Sequence, residues 1–109
     1  MNPSEWVVVT TWEEISLHLS SEDPIQLLIP KAVSTLLGAP VLKAYQDQLL
    51  PYSHLSLTIE CATSGQTLSC LCHGILRVIY ESSQSLEDLQ SIAKQKKALL
   101  TSKTSSFEG

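Results

Sequence analysis

Short strand-like runs alternate with amphipathic segments along the chain, and this alternation limits the fold more than any other feature of the sequence. The first run, residues 6–10, is continuous and rich in β-branched residues, as expected for a strand that is buried on both faces. Four further runs predict strands at 25–29, 55–59, 76–80 and 98–101. Strand and helix alternate four times before the last strand, which predicts a small three-layer α/β/α domain with a mostly parallel five-stranded sheet.

Two of the helical segments carry the signature of a helix start. Thr11 and Glu14 have the spacing of a capping box, in which the threonine hydroxyl accepts from the Glu14 amide and the carboxylate reaches back. Ser85 and Asp88 repeat this spacing and predict a second start of the same kind.

The spacing of apolar side chains predicts which face of each helix turns inward. The predicted inner faces consist of Trp12, Ile15 and Leu19; of Val41, Leu42, Tyr45 and Leu49; of Leu68, Leu71 and Cys72; and of Leu86, Leu89, Ile92 and Ala93. Gly74 is well placed to cap the end of the helix predicted at about 66–73. Residues 31–39 fit either a single helical turn or a loop, and Pro40 suits the first position of the next helix.

The strand order that we favour for such a domain is the flavodoxin-like order 2-1-3-4-5. At 109 residues the chain has the length of one ordinary domain. We assign residues 1–103 to a single α/β domain and 104–109 to a flexible tail.

Composition argues against several classes of protein. Seven Lys and Arg residues stand against eleven Asp and Glu residues, the net charge is −4, and no basic run exceeds Lys96-Lys97, so no nucleic-acid partner is expected. No apolar stretch approaches the roughly 20 residues that span a bilayer, so no membrane is expected. Three cysteines without a secretory segment favour reduced thiols and a cytoplasmic protein.

The sequence contains no catalytic motif that we can identify, so a non-enzyme is favoured. His18, His54 and His73 lie on different predicted elements without the spacing of metal ligands. Neither a Gly-rich phosphate loop nor a nucleophile elbow occurs. We therefore expect neither a cofactor nor a metal ion.

Ligands of open parallel sheets bind beyond the carboxyl ends of the strands, near the switch in strand order. In the order 2-1-3-4-5 that switch lies between the first and third strands, where hydroxyl side chains are abundant. The candidate ligand-binding residues are Thr10, Thr11, Glu60, Cys61, Thr63, Ser64, Gly65, Thr67, Ser82 and Lys103.

Cys61 offers one alternative function, an enzyme or an anion-binding protein that uses the 61–67 turn. The residue ends a strand just before a helix N-terminus, where helix amides can bind phosphate and lower the pKa of a thiol. A phosphatase loop would need an arginine where Thr67 stands. The sugar-phosphotransferase B-subunit loop resembles the Cys61, Gly65 and Thr67 arrangement, but here the Cys-to-Gly spacing is one residue too long. Glu60 would also raise the pKa of the thiol, so a small residue at a strand end is favoured.

A degenerate receiver-like signalling module is the other alternative. Glu60 ends the third strand, where a phosphoreceiver has its phospho-accepting Asp, and Ser82 and Lys103 follow the later strands. A receiver also needs an acidic pair for a metal ion at the end of its first strand, where this chain has Thr10 and Thr11.

We favour a non-enzymatic binding or protein-interaction module that self-associates, most simply as a dimer. Of the residues, 43% are hydrophobic, and a domain this small and thin has little interior to hide them. A protein partner or a small anion remains possible in this interpretation.

Overall fold

A computed structural model describes residues 6–101 of the chain, and five strands form a single sheet. The strands are β1 (Val7–Val8), β2 (Ile25–Ile29), β3 (Leu55–Cys61), β4 (Arg77–Tyr80) and β5 (Leu99–Thr101). Every neighbouring pair of strands is parallel. The predicted α/β class and the parallel five-stranded sheet are therefore confirmed. The boundary predicted at residue 103 and the predicted tail lie outside the described residues.

Five helices connect the strands. They are α1 (Trp12–Ser16), α2 (Lys31–Leu37), α3 (Ala39–Leu49), α4 (Ser64–Cys72) and α5 (Leu86–Gln95). The segment whose structure the sequence left open is α2, and Gly38, with φ of +82°, separates it from α3. Pro40 lies in the first turn of α3, as expected from its fixed φ.

The strand order β1-β2-β3-β4-β5 replaces the flavodoxin-like order 2-1-3-4-5, which was wrong. Each strand lies beside the strand that precedes it in the chain, and β3 pairs with β2 along all five residues of β2. Right-handed crossovers that always advance in one direction place every connecting helix on the same face of a sheet. The second helical layer of the predicted three-layer arrangement is accordingly absent from the part of the chain that the structure describes.

The core lies between the helices and one face of the sheet. From the sheet it contains Val9, Leu27, Ile29, Leu55, Leu57, Ile59, Cys61, Val78, Tyr80 and Leu100. From the helices it contains Ile15, Ala39, Leu42, Leu49, Cys70, Leu71, Leu89 and Ala93. These residues form one continuous cluster, and its removal from water is the main contribution to folding.

The inner face predicted for α4 was wrong at two positions. Leu68 and Cys72 are exposed, whereas Thr67, Cys70 and Leu71 are buried. The helix begins at Ser64, two residues earlier than predicted, and its buried residues follow the spacing i, i+3, i+4 from Thr67. Thr67 tolerates burial because its hydroxyl donates to the carbonyl of Thr63 at 2.8 Å.

The two predicted capping boxes had different outcomes. Thr11 accepts from the Glu14 amide at 3.2 Å, and the Glu14 carboxylate reaches back to the hydroxyl of Thr10 at 2.7 Å, so the first is confirmed. These contacts hold the pKa of Glu14 below its ordinary value, chiefly because the Thr10 amide donates to the carboxylate. Ser85 adopts the left-handed conformation, with φ of 57°, and its side chain caps nothing, so the second was wrong. Within residues 6–101, no helix has the length and apolar character needed to cross a bilayer.

Candidate functional site

The turn that follows β3 is held by its own capping interactions. Thr63 accepts from the Gln66 amide at 3.1 Å, and the Gln66 side chain accepts from the amide of Ala62 at 2.8 Å. The side-chain nitrogen of Gln66, Nε2, donates to the hydroxyl of Ser34 at 2.9 Å. The fully buried Ser34 hydroxyl in turn donates to the carbonyl of Glu60, which ties α2 and α4 to the end of β3. The polar groups of this turn are thus engaged within the protein.

Glu60 occupies the helix N-terminus that could otherwise attract an anion. Its carboxylate accepts from the amide of Lys31, the first residue of α2, at 2.9 Å. A carboxylate is favourable at this end of a helix because the unpaired amides carry partial positive charge. Glu60 thus fills the N-terminus of α2, whereas the phosphate position suggested by the sequence is the N-terminus of α4, which Thr63 caps.

Cys61 lies in the core and not in a cleft. Its thiol donates to the sulfur of Cys70, with 3.7 Å between the two sulfur atoms. This hydrogen bond and burial raise the pKa of Cys61 well above its ordinary value, and the nearby Glu60 adds a smaller effect in the same direction. The thiol therefore stays protonated at neutral pH, which does not favour a nucleophile.

The structure brings most of the predicted ligand-binding residues to the carboxyl edge of the sheet but engages several of them in capping. The residues of the turn itself are Glu60, Cys61, Thr63, Ser64, Gly65 and Thr67. Thr10 and Thr11 form hydrogen bonds with Glu14 at the start of α1. Ser82 accepts from the amide of Gln84 at 3.1 Å. Lys103 lies outside the described residues, so the receiver-like alternative, which would need Lys103 near Glu60 and Ser82, stays a prediction. Ligand binding by the whole set likewise stays a prediction.

The sheet face opposite the helices is the more distinctive surface, and we call it the helix-free face. The strand register assigns to it Val8, Gln26, Leu28, Ser56, Thr58, Glu60, Arg77, Ile79, Leu99 and Thr101. Leu28, Thr58 and Ile79 are buried at its centre, but the two apolar residues belong to no part of the helix-side core cluster. At its two margins, Val8 is 56% exposed and Leu99 is 44% exposed.

Two buried side-chain oxygens on the helix-free face lack a hydrogen-bond partner within residues 6–101. Gln26 Oε1 and Thr101 Oγ1 are buried, and neither finds a hydrogen-bond partner among residues 6–101. Arg77 donates through Nε to the hydroxyl of Thr58 at 3.3 Å. A buried polar atom without a partner costs about 1–3 kcal/mol, so these two atoms lower the stability of the fold.

Sequence reasoning missed this face because the wrong strand order covered it with helices. One signal was present in the third strand, where Ser56, Thr58 and Glu60 alternate with apolar residues. That alternation indicated a less buried face, and it is typical of a strand with one side outside the core.

Comparison with known proteins adds nothing to this description, since no family model, no curated protein and no solved structure matches the chain. Any function has to be argued from the fold and its surfaces. The fold and the site together define a small α/β domain with a parallel sheet that carries helices on one face within residues 6–101.

Proposed function

We propose that the protein is a non-enzymatic interaction module that self-associates through the helix-free face of its sheet. The observation that carries this proposal is the one-sided helical cover of an all-parallel sheet. All-parallel sheets occur almost only with both faces covered. Leu28, Thr58 and Ile79 at the centre of the face are already buried within the single chain, so a second molecule would cover the exposed margins.

Charge favours a second copy of this chain as the occupant. The whole chain has a net charge of −4, so most of its surface repels a copy of itself. On the helix-free face one carboxylate, Glu60, is balanced by one guanidinium, Arg77. The face is therefore neutral, and two copies can meet there without like-charge repulsion.

The size of the face predicts a weak, concentration-dependent dimer. Strands spaced about 4.8 Å apart, with about 3.3 Å per residue, give a face of roughly 400–500 Å². Leu28, Thr58 and Ile79 are already buried, so two copies would bury less than about 1,000 Å², the range of weak protein–protein interfaces. The apolar margins at Val8 and Leu99 would supply the hydrophobic contact.

The cysteines support a reducing compartment such as the cytoplasm for this module. Cys61, Cys70 and Cys72 are free thiols. Cys61 and Cys70 are close enough to share a hydrogen bond yet are not joined in a disulfide. Free buried thiols of this kind are typical of proteins that fold under reducing conditions.

Methyl NMR at increasing protein concentration tests where the copies meet. We expect the methyl signals of Val8 and Leu99 to shift with concentration, since these residues form the margins of the interface. Leu17 and Leu36 are 77% and 86% exposed on helices or the turns that follow them, so their signals are the matched control and should stay unchanged. Shifts confined to Leu17 and Leu36, or no shifts at all, would contradict the proposal.

A further inference from the structure

Two buried thiols face each other where the end of β3 meets α4. Cys61 is the last residue of β3 and Cys70 lies in the last turn of α4, and they are 3% and 0% exposed. Their sulfur atoms are 3.7 Å apart, with the Cys61 thiol donating to Cys70. Since the two sulfur atoms already point at each other, rotations of the two side chains can bring them to the roughly 2.05 Å of a disulfide bond.

The third cysteine is placed where it cannot compete for Cys70. Cys72 is exposed and follows Cys70 by two residues in the same helix. Residues two apart on an α-helix are separated by about 200° around the helix axis, so the Cys72 thiol lies on the opposite side of α4 from the contact between Cys61 and Cys70. The fold therefore selects one pair among the three thiols.

We propose that Cys61 and Cys70 form an oxidative modification site, at which a peroxide joins the two thiols in a reversible disulfide that ties α4 to the end of β3. The hydrogen bond from Cys61 lowers the pKa of Cys70, so Cys70 supplies the attacking thiolate. It attacks one peroxide oxygen, the O–O bond breaks, hydroxide leaves, and Cys70 becomes a sulfenic acid. The Cys61 sulfur then attacks the Cys70 sulfur, and the S–O bond breaks as the Cys61 proton leaves with the hydroxyl group as water. Two thiols are thus oxidised and one peroxide is reduced.

The position of Cys70 near the end of α4 gives peroxide a route to the pair. The helix ends at Cys72, and its last turn contains Cys70. Helix termini open locally at a small free-energy cost compared with global unfolding. Burial therefore slows the reaction of Cys70 without preventing it. Under the reducing conditions that keep thiols free, the pair rests in its hydrogen-bonded form.

The experiment exposes the full chain and two single variants, at low protein concentration, to millimolar hydrogen peroxide. Thiols that survive are alkylated in urea and counted from the intact mass, before and after treatment with dithiothreitol. Cys72→Ala and its matched control Cys61→Ala each keep two thiols, but only Cys72→Ala keeps the facing pair. We expect Cys72→Ala to form an intramolecular disulfide at least about tenfold faster than Cys61→Ala, because the fold holds its two sulfur atoms together. Dithiothreitol should restore both thiols.

In the native chain, digestion with chymotrypsin locates the bond. Cleavage after Leu68 and Leu71 places the three cysteines on separate peptides. Folded protein should give the pair of Cys61 with Cys70, whereas protein oxidised in concentrated urea should give mixed pairs that include Cys72.

Three results would overturn the proposal. They are disulfide formation in Cys72→Ala that is no faster than in Cys61→Ala; a loss of the Cys61 and Cys70 thiols that dithiothreitol does not reverse; and the same mixed pairs from folded and unfolded protein. None of these results bears on self-association, which is measured at Val8 and Leu99 in the reduced protein. Failure to dimerise would likewise leave the oxidation result standing.

Discussion

Gly65 inside α4 and Gly74 just after it show how a single residue determines the local backbone. Gly74 follows the end of α4 with φ of +89°, a conformation that side chains with a Cβ rarely adopt. Its amide donates to Leu71, and the amide of Ile75 donates to Cys70, which together make a Schellman motif. Gly65 lies inside α4 and has open space where a Cβ would be.

Alanine at these two positions should have opposite effects. Gly74→Ala should lower the free energy of unfolding by about 1–2 kcal/mol, because the left-handed backbone is strained and the new Cβ would lie 3.0 Å from Lys43 Cε. Gly65→Ala should raise it by up to about 1 kcal/mol through helix propensity. Denaturant unfolding of both variants measures this, and an equal loss at both positions would contradict the interpretation.

The buried thiol of Cys61 predicts how stability depends on alkaline pH. Its folded-state pKa is raised above the ordinary value of 9.0, chiefly by the hydrogen bond with Cys70 and by burial, so only the unfolded chain loses this proton near pH 9. The same hydrogen bond lowers the pKa of Cys70, so above about pH 9 the folded pair has lost one proton and the unfolded chain two. The contribution of the pair to stability therefore falls by about 1.4 kcal/mol per pH unit above about pH 9.

Comparison of variants isolates this effect from other alkaline titrations. Between about pH 8 and about pH 10.5, the native chain should lose stability more steeply than the double variant Cys61→Ala/Cys70→Ala, which lacks both buried thiols. Cys72→Ala removes an exposed thiol and should follow the native chain. If the native chain and the double variant had parallel profiles in urea unfolding, the pKa of Cys61 would not be raised as described above.

At the scale of elements, α5 ends as α4 does but without a glycine. Lys97 has φ of 58°, its amide donates to Lys94, and the amide of Ala98 donates to Ala93 at 2.8 Å. This is the Schellman pattern with lysine at the position that usually needs glycine. The end of α5 therefore stores a backbone strain that a substitution can relieve.

Lys97→Gly should raise the free energy of unfolding by about 0.5–1 kcal/mol, because glycine adopts a positive φ without steric cost. Lys97→Gln removes the same charge but keeps the strain, so it is the matched control and should change stability by less than about 0.5 kcal/mol. Thermal unfolding of the two variants measures the difference. A Lys97→Gly protein less stable than Lys97→Gln would show that the strain argument is wrong.

The elements themselves were the most predictable part of the structure. Strand β2 has the predicted bounds, Ile25–Ile29, because a short apolar run closed by Pro30 is a purely local signal. The Thr11 cap was predictable for the same reason. The start of α4 was missed by two residues because Thr63 was assigned to a turn, although its hydroxyl and Gln66 together cap the helix.

The order of the strands could not be read from local patterns. A Leu-rich strand pairs equally well with several others, and nothing in residues 25–29 shows that they pair with 55–59. The candidate surface depended on that order. With order 2-1-3-4-5 helices cover both faces, whereas the observed order leaves one face without helices within residues 6–101.

At the scale of the whole molecule, the central claim is that the helix-free face joins two copies of the chain. Leu99 on that face and Leu36 on α2 are both exposed leucines, so lysine at either position adds the same charge to the surface. Only the lysine at position 99 would place two positive charges inside the proposed interface, where desolvation and repulsion oppose association.

Sedimentation equilibrium of the native chain, Leu99→Lys and Leu36→Lys over a wide range of concentration tests this claim most directly. We predict a dimer for the native chain and for Leu36→Lys, with a dissociation constant on the order of micromolar to tens of micromolar. Leu99→Lys should remain monomeric with an unchanged circular dichroism spectrum. A native chain that stays monomeric at about 1 mM, or a Leu99→Lys variant that dimerises as the native chain does, would contradict the claim.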